Sequence, residues 1–306
     1  MQNRASRTAE QVALFRALES ARGPNRLFDD PYAARFLTGG YRLAAALARV
    51  RPVGRGLERF IDTRWPAGPR ASAVARTRLI DDLAAAALAA GATQVVLLGA
   101  GYDSRAHRLP AMAGARVFEV DHPATQAVKR RLLGDTGCER LGDTGHEKLG
   151  DTGHERLGAT GHAGLRFVPA DLLHDDLGEA LTAAGFRPER TVVIWEGVTN
   201  YLTEPAVDAT LRLLAARAAP GSRIILTYVD RSVLTSDDDW PAAVRRQGEP
   251  WTFGFDPAEL PGYLAARGLR LTLDLSTSDA AARYLRPLGR DEPTAAFYHV
   301  AEAEIS

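Results

Sequence analysis

The chain has 306 residues, 45% of them apolar, and carries 38 basic and 38 acidic side chains, for zero formal net charge and a pI near 7.1. That length and apolar content can bury a large core, which excludes a disordered chain, and the balanced charge gives no whole-molecule field to recruit nucleic acid or an anionic membrane. A single cysteine, Cys138, excludes a disulfide framework and a multi-cysteine zinc site and suits a reducing compartment.

The N-terminal stretch MQNRASRTAEQ is polar and carries no apolar signal-peptide run, so a cytoplasmic protein is expected. Helical patterns alone fill residues 1–90, over 8–20, 33–51 and 71–90 with a turn at FDDPY, and predict an N-terminal helical cap. The longest apolar stretch, Leu83 to Gly101, is broken by Gly91, Thr93 and Gln94 and reads as a helix, a turn and a strand rather than a membrane span. From residue 91 onward β-rich runs alternate with helical ones. Strands are predicted over 94–99, 115–120, 166–170, 191–195, 222–229, 269–275 and 295–303. Alternation of this kind predicts an α/β core over 91–306, a mostly parallel sheet of about seven strands with helices on both faces. The last two strands flank RPLGRDEPTAA with no room for a crossover helix of normal length, so an antiparallel hairpin is expected at the end of the sheet. Residues 231–262 are a candidate lid.

An octapeptide repeat fills residues 133–164 as LGDTGCER, LGDTGHEK, LGDTGHER and LGATGHAG. Its glycine content opposes a helix and it reads as a loop. Cys138, His146, His154 and His162 recur at a spacing that fits no common ligand pattern, so no metal is expected there. The repeat leads from a helix into the third strand, and such loops lie at the end of a parallel sheet opposite the binding crevice.

The stretch with chemical content is VVLLGAGYDSR, residues 95–105. Gly99 and Gly101 allow the backbone to turn tightly after the first strand and to approach a ligand closely. A dinucleotide-binding turn has a third glycine where this chain has Ser104, which argues against a pyrophosphate on the helix that follows. The second strand ends in FEVD and places Asp121 at its carboxyl edge, where an acid can accept hydrogen bonds from ribose hydroxyls. These features alone fit any nucleoside-binding sheet.

The surrounding motifs are more specific. VVLLGAGYDSRAHRL, FEVDHP, VPADL at 168–172 and WEGVTNYLTEPAV at 195–207, in that order, resemble the leucine carboxyl methyltransferase-like family of class I S-adenosylmethionine-dependent methyltransferases, and its bacterial branch above all. TAEQVALFRALES, LFDDPYAARFL and ARTRLIDD upstream, and GEPWTFGF downstream, are similar to that branch as well; the repeat falls outside it. The resemblance implies a Rossmann-like class I methyltransferase fold with S-adenosyl-L-methionine as cofactor. In that reading Gly99 and Gly101 pass the methionyl part, Arg76 pairs with a carboxylate, Asp121 holds the ribose, Asp171 and Leu172 take the adenine, and Glu196 accepts from the ammonium group. Arg76 and Tyr201, the latter facing the methyl group, are the implied catalytic pair. Trp251 and Phe253 are candidates for the acceptor wall.

A carboxylate acceptor is ionised near neutral pH and needs no general base, whereas a phenol or alcohol does. None of His107, His122 and His174 falls where a base is expected. The expected reaction is therefore O-methylation of a carboxylate, on a small secondary metabolite or a peptide terminus, with a phenolic or hydroxyl acceptor as the alternative. A nicotinamide-dependent oxidoreductase is disfavoured by Ser104 and by the lack of a YxxxK pair near the fourth strand. A binding protein that keeps the fold without turnover is the remaining alternative. No nucleic acid and no membrane partner is expected.

Overall fold

Seven strands form one sheet in the order β3-β2-β1-β4-β5-β7-β6. The computed structural model describes residues 7–134, 164–235 and 251–306. The octapeptide repeat, its Cys138 and three histidines included, therefore lies outside the described residues apart from its two ends, as does the middle of the candidate lid. The strands are β1 Gln94–Leu98, β2 Arg116–Asp121, β3 Leu165–Pro169, β4 Thr191–Trp195, β5 Arg223–Val229, β6 Leu269–Ser276 and β7 Tyr298–Ile305. β1 to β5 pair in parallel, and β7 alone runs against its neighbours β5 and β6. β1 and β4 are buried at every residue, as parallel strands covered on both faces must be.

The described helices are α1 Arg7–Ala21, α2 Gly39–Ala48, α3 Arg51–Arg64, α4 Pro69–Ala89, α5 Arg105–Arg108, α6 Pro123–Leu133, α7 Leu177–Ala183, α8 Glu204–Arg217, α9 Leu260–Ala265 and α10 Thr277–Tyr284. One face of the sheet packs Val96, Phe118 and Trp195 against α7, α8 and α9 through Leu181, Leu211 and Leu264. The other packs Val95, Leu97 and Ile194 against α4 and α10 through Val74, Ile80 and Ala280. A third cluster joins Leu14, Leu18, Phe36 and Ile61 to Ala73 of α4 and to Tyr102 of the glycine turn. The α4 helix thus covers the sheet and anchors the N-terminal helices at once.

Two sequence expectations need correction. The helix expected over 33–51 is split into a 3-10 turn, Ala33–Phe36, and α2, and a further helix, α3, follows that the pattern did not show. The sequence RPVGRGLERF hides α3 because Pro52, Gly54 and Gly56 are poor helix formers. Pro52 sits in the first turn, where its missing N–H costs nothing. Gly54 lets α3 cross close to the end of α2: a Cβ there would lie 2.6 Å from the Ala48 carbonyl oxygen. Second, the antiparallel pairing of the last two strands is present, but they are not joined by a simple hairpin. An eight-residue helix, α10, lies between them, started by a capping box of Ser276 and Asp279, and β7 begins at 298 rather than 295.

The Gly54 contact makes a prediction. Gly54→Ala should lower the melting temperature although alanine favours a helix by roughly 1 kcal/mol, because relieving the clash with backbone costs about 1–3 kcal/mol. A melting temperature at or above that of the parent would show that the crossing relaxes freely.

Candidate active site

Four strand ends converge on one edge of the sheet. β1 runs into a turn whose Gly99 and Gly101 have φ of 62° and 44°, in the left-handed region that glycine adopts without strain. A Cβ on Gly99 would also lie 2.4 Å from a methyl of Val198, so the loop after β4 presses directly on this turn. Gly101 N–H donates to Asp121 Oδ2 at the end of β2, 2.7 Å, and His122 N–H donates to Oδ1, 2.7 Å. Burial pushes the Asp121 carboxyl above its ordinary range, against the pull of those two donors. Ala170 N–H bonds the Asp121 carbonyl, 2.9 Å, which sets Asp171 and Leu172 just beyond the neighbouring strand end. Asp171 Oδ1 accepts from Leu173 N–H and Oδ2 pairs with His174 Nδ1 at 3.0 Å. It closes a local turn and does not cap α7; that cap is Asp176.

At the end of β4, Glu196 is gripped by two arginines. Arg76 Nε of α4 donates to Oε1, 2.7 Å, and an Arg105 terminal nitrogen donates to Oε2, 2.6 Å. Burial would raise the Glu196 carboxyl, and Arg105 and Arg76 together hold it below its usual range. Arg105 also bonds Asp103 and Asp81, Asp81 binds Arg108, and Asp30 accepts from Arg16 Nε, 2.8 Å, and from Ser104 Oγ, 2.7 Å. Ser104 Oγ accepts in turn from Arg108 Nε, 3.2 Å. This chain of ions explains the serine in place of a third glycine. Ser104 ties the glycine turn to the N-terminal helices, a contact glycine cannot make.

Arg76 uses only Nε on Glu196, and its guanidinium carbon stands 4.9 Å from the Tyr298 ring centre. Among the described residues its two terminal nitrogens make no hydrogen bond, and they form the planar edge that a carboxylate fits. Thr227 Oγ1 accepts from Gly197 N–H, 2.8 Å, and lies 3.4 Å from the Tyr298 hydroxyl. Tyr201 ends the 3-10 turn Thr199–Tyr201 and is half-buried. The Asn200 carbonyl accepts from Thr252 N–H, 2.8 Å, fastening the strap of Trp251 and Phe253 to this turn. Phe253 packs into the sheet core against Phe255, whereas Trp251 meets Tyr298 edge to face.

The predicted residues thus share one edge: the Gly99–Gly101 turn and Asp121 are hydrogen-bonded, Arg76 and Glu196 are ion-paired, and Asp171, Leu172 and Tyr201 stand on the adjoining loops. Sequence reasoning missed Arg105, Asp103 and Tyr298. The first two lie inside the quoted motif, in DSR, and their i, i+2 ion pair was the available signal. Of the described histidines, His122 accepts from Ala124 N–H to cap α6, and His174 is exposed beside Asp171.

A mostly parallel seven-stranded sheet whose first strand runs into a glycine turn and whose second ends in a half-buried acid has the arrangement of nucleoside-cofactor α/β folds. The leucine carboxyl methyltransferase family profile matches residues 9–215. A Frankia alni protein named as an S-adenosyl-L-methionine-dependent methyltransferase is 35% identical over 92% of this chain and 87% of its own. A similarly named Parafrankia protein is 34% identical over 98% and 87%. In fold, a Thermobifida fusca protein named for methyl transfer aligns with a TM-score of 0.54 at 17% identity, covering 95% of this chain and 94% of its own. A DUF574-family protein of Streptomyces avermitilis aligns at 0.55 and 15% identity over 95% and 97%.

The chain belongs to the leucine carboxyl methyltransferase family. It is an S-adenosyl-L-methionine-dependent methyltransferase with the class I fold. Among the described residues no helix is long and apolar enough to cross a membrane.

Proposed function

We propose that the protein methylates a carboxylate, on a small molecule such as a secondary metabolite or on a peptide terminus, to give a methyl ester. The observation that carries this reading is Arg76: a buried guanidinium fixed by Glu196 on one edge and Tyr298 on its face, with its terminal nitrogens turned to no protein acceptor among the described residues. Burial would lower the Arg76 pKa, and Tyr298 and Glu196 hold it above its ordinary value, so the charge persists at any working pH. The family's own name, for carboxyl methylation, supports the same acceptor class.

The cofactor fits the residues present: a turn in which Gly99 and Gly101 carry no Cβ, a strand-end acid with lone pairs left on both oxygens, and a second acid one strand over. Asp121 would hold the ribose, Asp171 and Leu172 the adenine, and Gly99, Gly101 and Glu196 the methionyl end. Bound there, S-adenosyl-L-methionine would supply an electrophilic methyl group, to which a carboxylate oxygen would bond as the methyl–sulfur bond breaks, leaving a neutral thioether. The protein's part is to position and dehydrate. Arg76 orients a carboxylate, of the methionyl group or of the acceptor. Tyr201, five residues after Glu196 in the segment that follows β4, would hydrogen-bond the acceptor oxygen. No proton has to be removed from the acceptor.

The test is the chemistry of the product. Labelled methyl groups transferred to an acceptor in cell extract should be released as methanol by mild base, the mark of an ester. A base-stable product would assign a phenolic, hydroxyl or nitrogen acceptor instead.

A further inference from the structure

Six of the eight large apolar side chains exposed among the described residues fall within twenty positions: Tyr41, Leu43, Leu47, Val50, Val53 and Phe60. All lie on α2, on α3 or, for Val50, at the junction between them. Leu43 is 61% exposed and Phe60 65%, values that a packing accident at one position would not repeat along both helices. The spacing shows why. On α2 the buried positions are Ala45 and Ala48; at 100° per residue, Leu43 and Leu47 project from the opposite side, one turn apart. On α3 the buried stripe is Gly54, Glu58 and Ile61, and Val53 and Phe60, seven residues apart, flank it on the solvent side.

The same pair carries six exposed arginines, Arg42, Arg49, Arg51, Arg55, Arg59 and Arg64. Among the described residues none of them has an ion-pair partner, and Arg51, Arg55 and Arg59 form one stripe at four-residue spacing. The only acids within α2 and α3 are Glu58 and Asp62, and both are paired with arginines from outside these helices: Glu58 is bound by Arg22 at 2.6 Å and Asp62 by Arg70 at 2.5 Å. Zero net charge over the whole chain conceals this local excess.

We infer that the α2–α3 pair is a docking surface for an anionic lipid bilayer, with the leucine, valine and phenylalanine side chains entering the interface and the arginines on the headgroups. On α3 the apolar pair Val53 and Phe60 and the arginine stripe lie on opposite flanks of the buried stripe, and apolar side chains on one side with arginines on the other is the arrangement of interfacial amphipathic helices. The partner must supply the negative charge, since both acids of the pair are already engaged by Arg22 and Arg70. A second copy of the chain would set arginine stripe against arginine stripe, which charge disfavours. The surface is built of residues outside the proposed cofactor site, so the inference stands apart from the acceptor class.

Vesicle co-sedimentation of the full chain tests it. The protein should partition onto vesicles of equal phosphatidylglycerol and phosphatidylcholine at least about tenfold better than onto phosphatidylcholine alone, and roughly 0.5 M salt should remove the difference. Each arginine near an anionic surface is worth roughly fivefold in partitioning, so R51E/R55E/R59E should abolish it. L43S/L47S/F60S should weaken binding at low salt while leaving the melting temperature and S-adenosylhomocysteine affinity unchanged. Equal binding to neutral and anionic vesicles, or wild-type binding by the charge-reversed variant, overturns the inference. So does a concentration-dependent dimer in ultracentrifugation that R51E/R55E/R59E disrupts, which would assign the face to a second copy.

Discussion

Asp121→Asn should weaken binding of S-adenosylhomocysteine by roughly 30- to 1,000-fold, about 2–4 kcal/mol. A hydrogen bond to a charged group is worth about 1.5–3 kcal/mol, and the ribose reading gives Asp121 more than one. Asparagine is nearly isosteric but chemically wrong here in either orientation. Both Asp121 oxygens already accept from backbone donors, Gly101 N–H and His122 N–H, at 2.7 Å each. Whichever way the amide turns, its NH2 faces one of those N–H groups, so the variant loses the ligand and loosens the glycine turn together. The pH dependence has a definite sign. Burial raises the Asp121 pKa, and only the ionised form accepts from two hydroxyls, so affinity should be flat at neutral pH and fall on acidification sooner than a freely solvated aspartate would allow. Calorimetric titration of the wild type and D121N across pH checks both statements. Affinity within threefold of the parent for D121N would remove Asp121 from the cofactor site, and with it the placement of Asp171 and Leu172.

The readable and unreadable parts of the molecule differ in range. β1 and β4 were legible because a strand buried on both faces is a continuous apolar run, and QVVLL and TVVIW are such runs bounded by turns. The glycine turn and Asp121 were legible because a turn and an acid at a strand end are local features. The α3 helix was not, since its Pro52 and Gly54 are there for the first turn and for the approach to α2, needs set by tertiary packing rather than by local preference. Ser104 shows the same limit from the other side. The sequence shows that a third glycine is missing, but the reason lies in Asp30, 74 residues earlier. Tyr298 was invisible for a related reason. It reaches Arg76 only because β7 inserts between β5 and β6 in a register that pairs Tyr298 with Val229, and no local motif encodes that insertion.

Lys129→Met should destabilise the fold by about 3–5 kcal/mol, whereas the double variant E119L/K129M should recover most of the loss. Lys129 of α6 donates to Glu119 Oε2 of β2 at 2.6 Å, and both side chains are only 1% exposed. Removing one partner leaves an uncompensated buried charge, but replacing both by apolar groups of similar size is near neutral or stabilising. The pair is also unequal. Glu119 Oε1 has no hydrogen-bond partner among the described residues, and burial, with Asp103 and Asp121 adding to it, raises the Glu119 pKa from 4.5 to about 7 despite Lys129. An acid whose folded pKa is raised gives up its proton first in the unfolded chain, so its contribution to stability falls as pH climbs from about 4.5 to about 7 and stays low above that. The double variant lacks this group and should therefore gain on the wild type as pH rises through that window. Denaturant unfolding of the three proteins at several pH values decides the matter. A K129M loss under about 1 kcal/mol, or a double variant no better than K129M, would show that water or a shifted neighbour already satisfies Glu119. Lys129 also draws down the pKa of Asp103 and of Asp121, so the same substitution should carry the acid limb of cofactor binding to higher pH, and the double variant should keep that shift while regaining its stability. Separating the two readouts in this way distinguishes a lysine that merely fills the core from one that keeps Asp121 ionised.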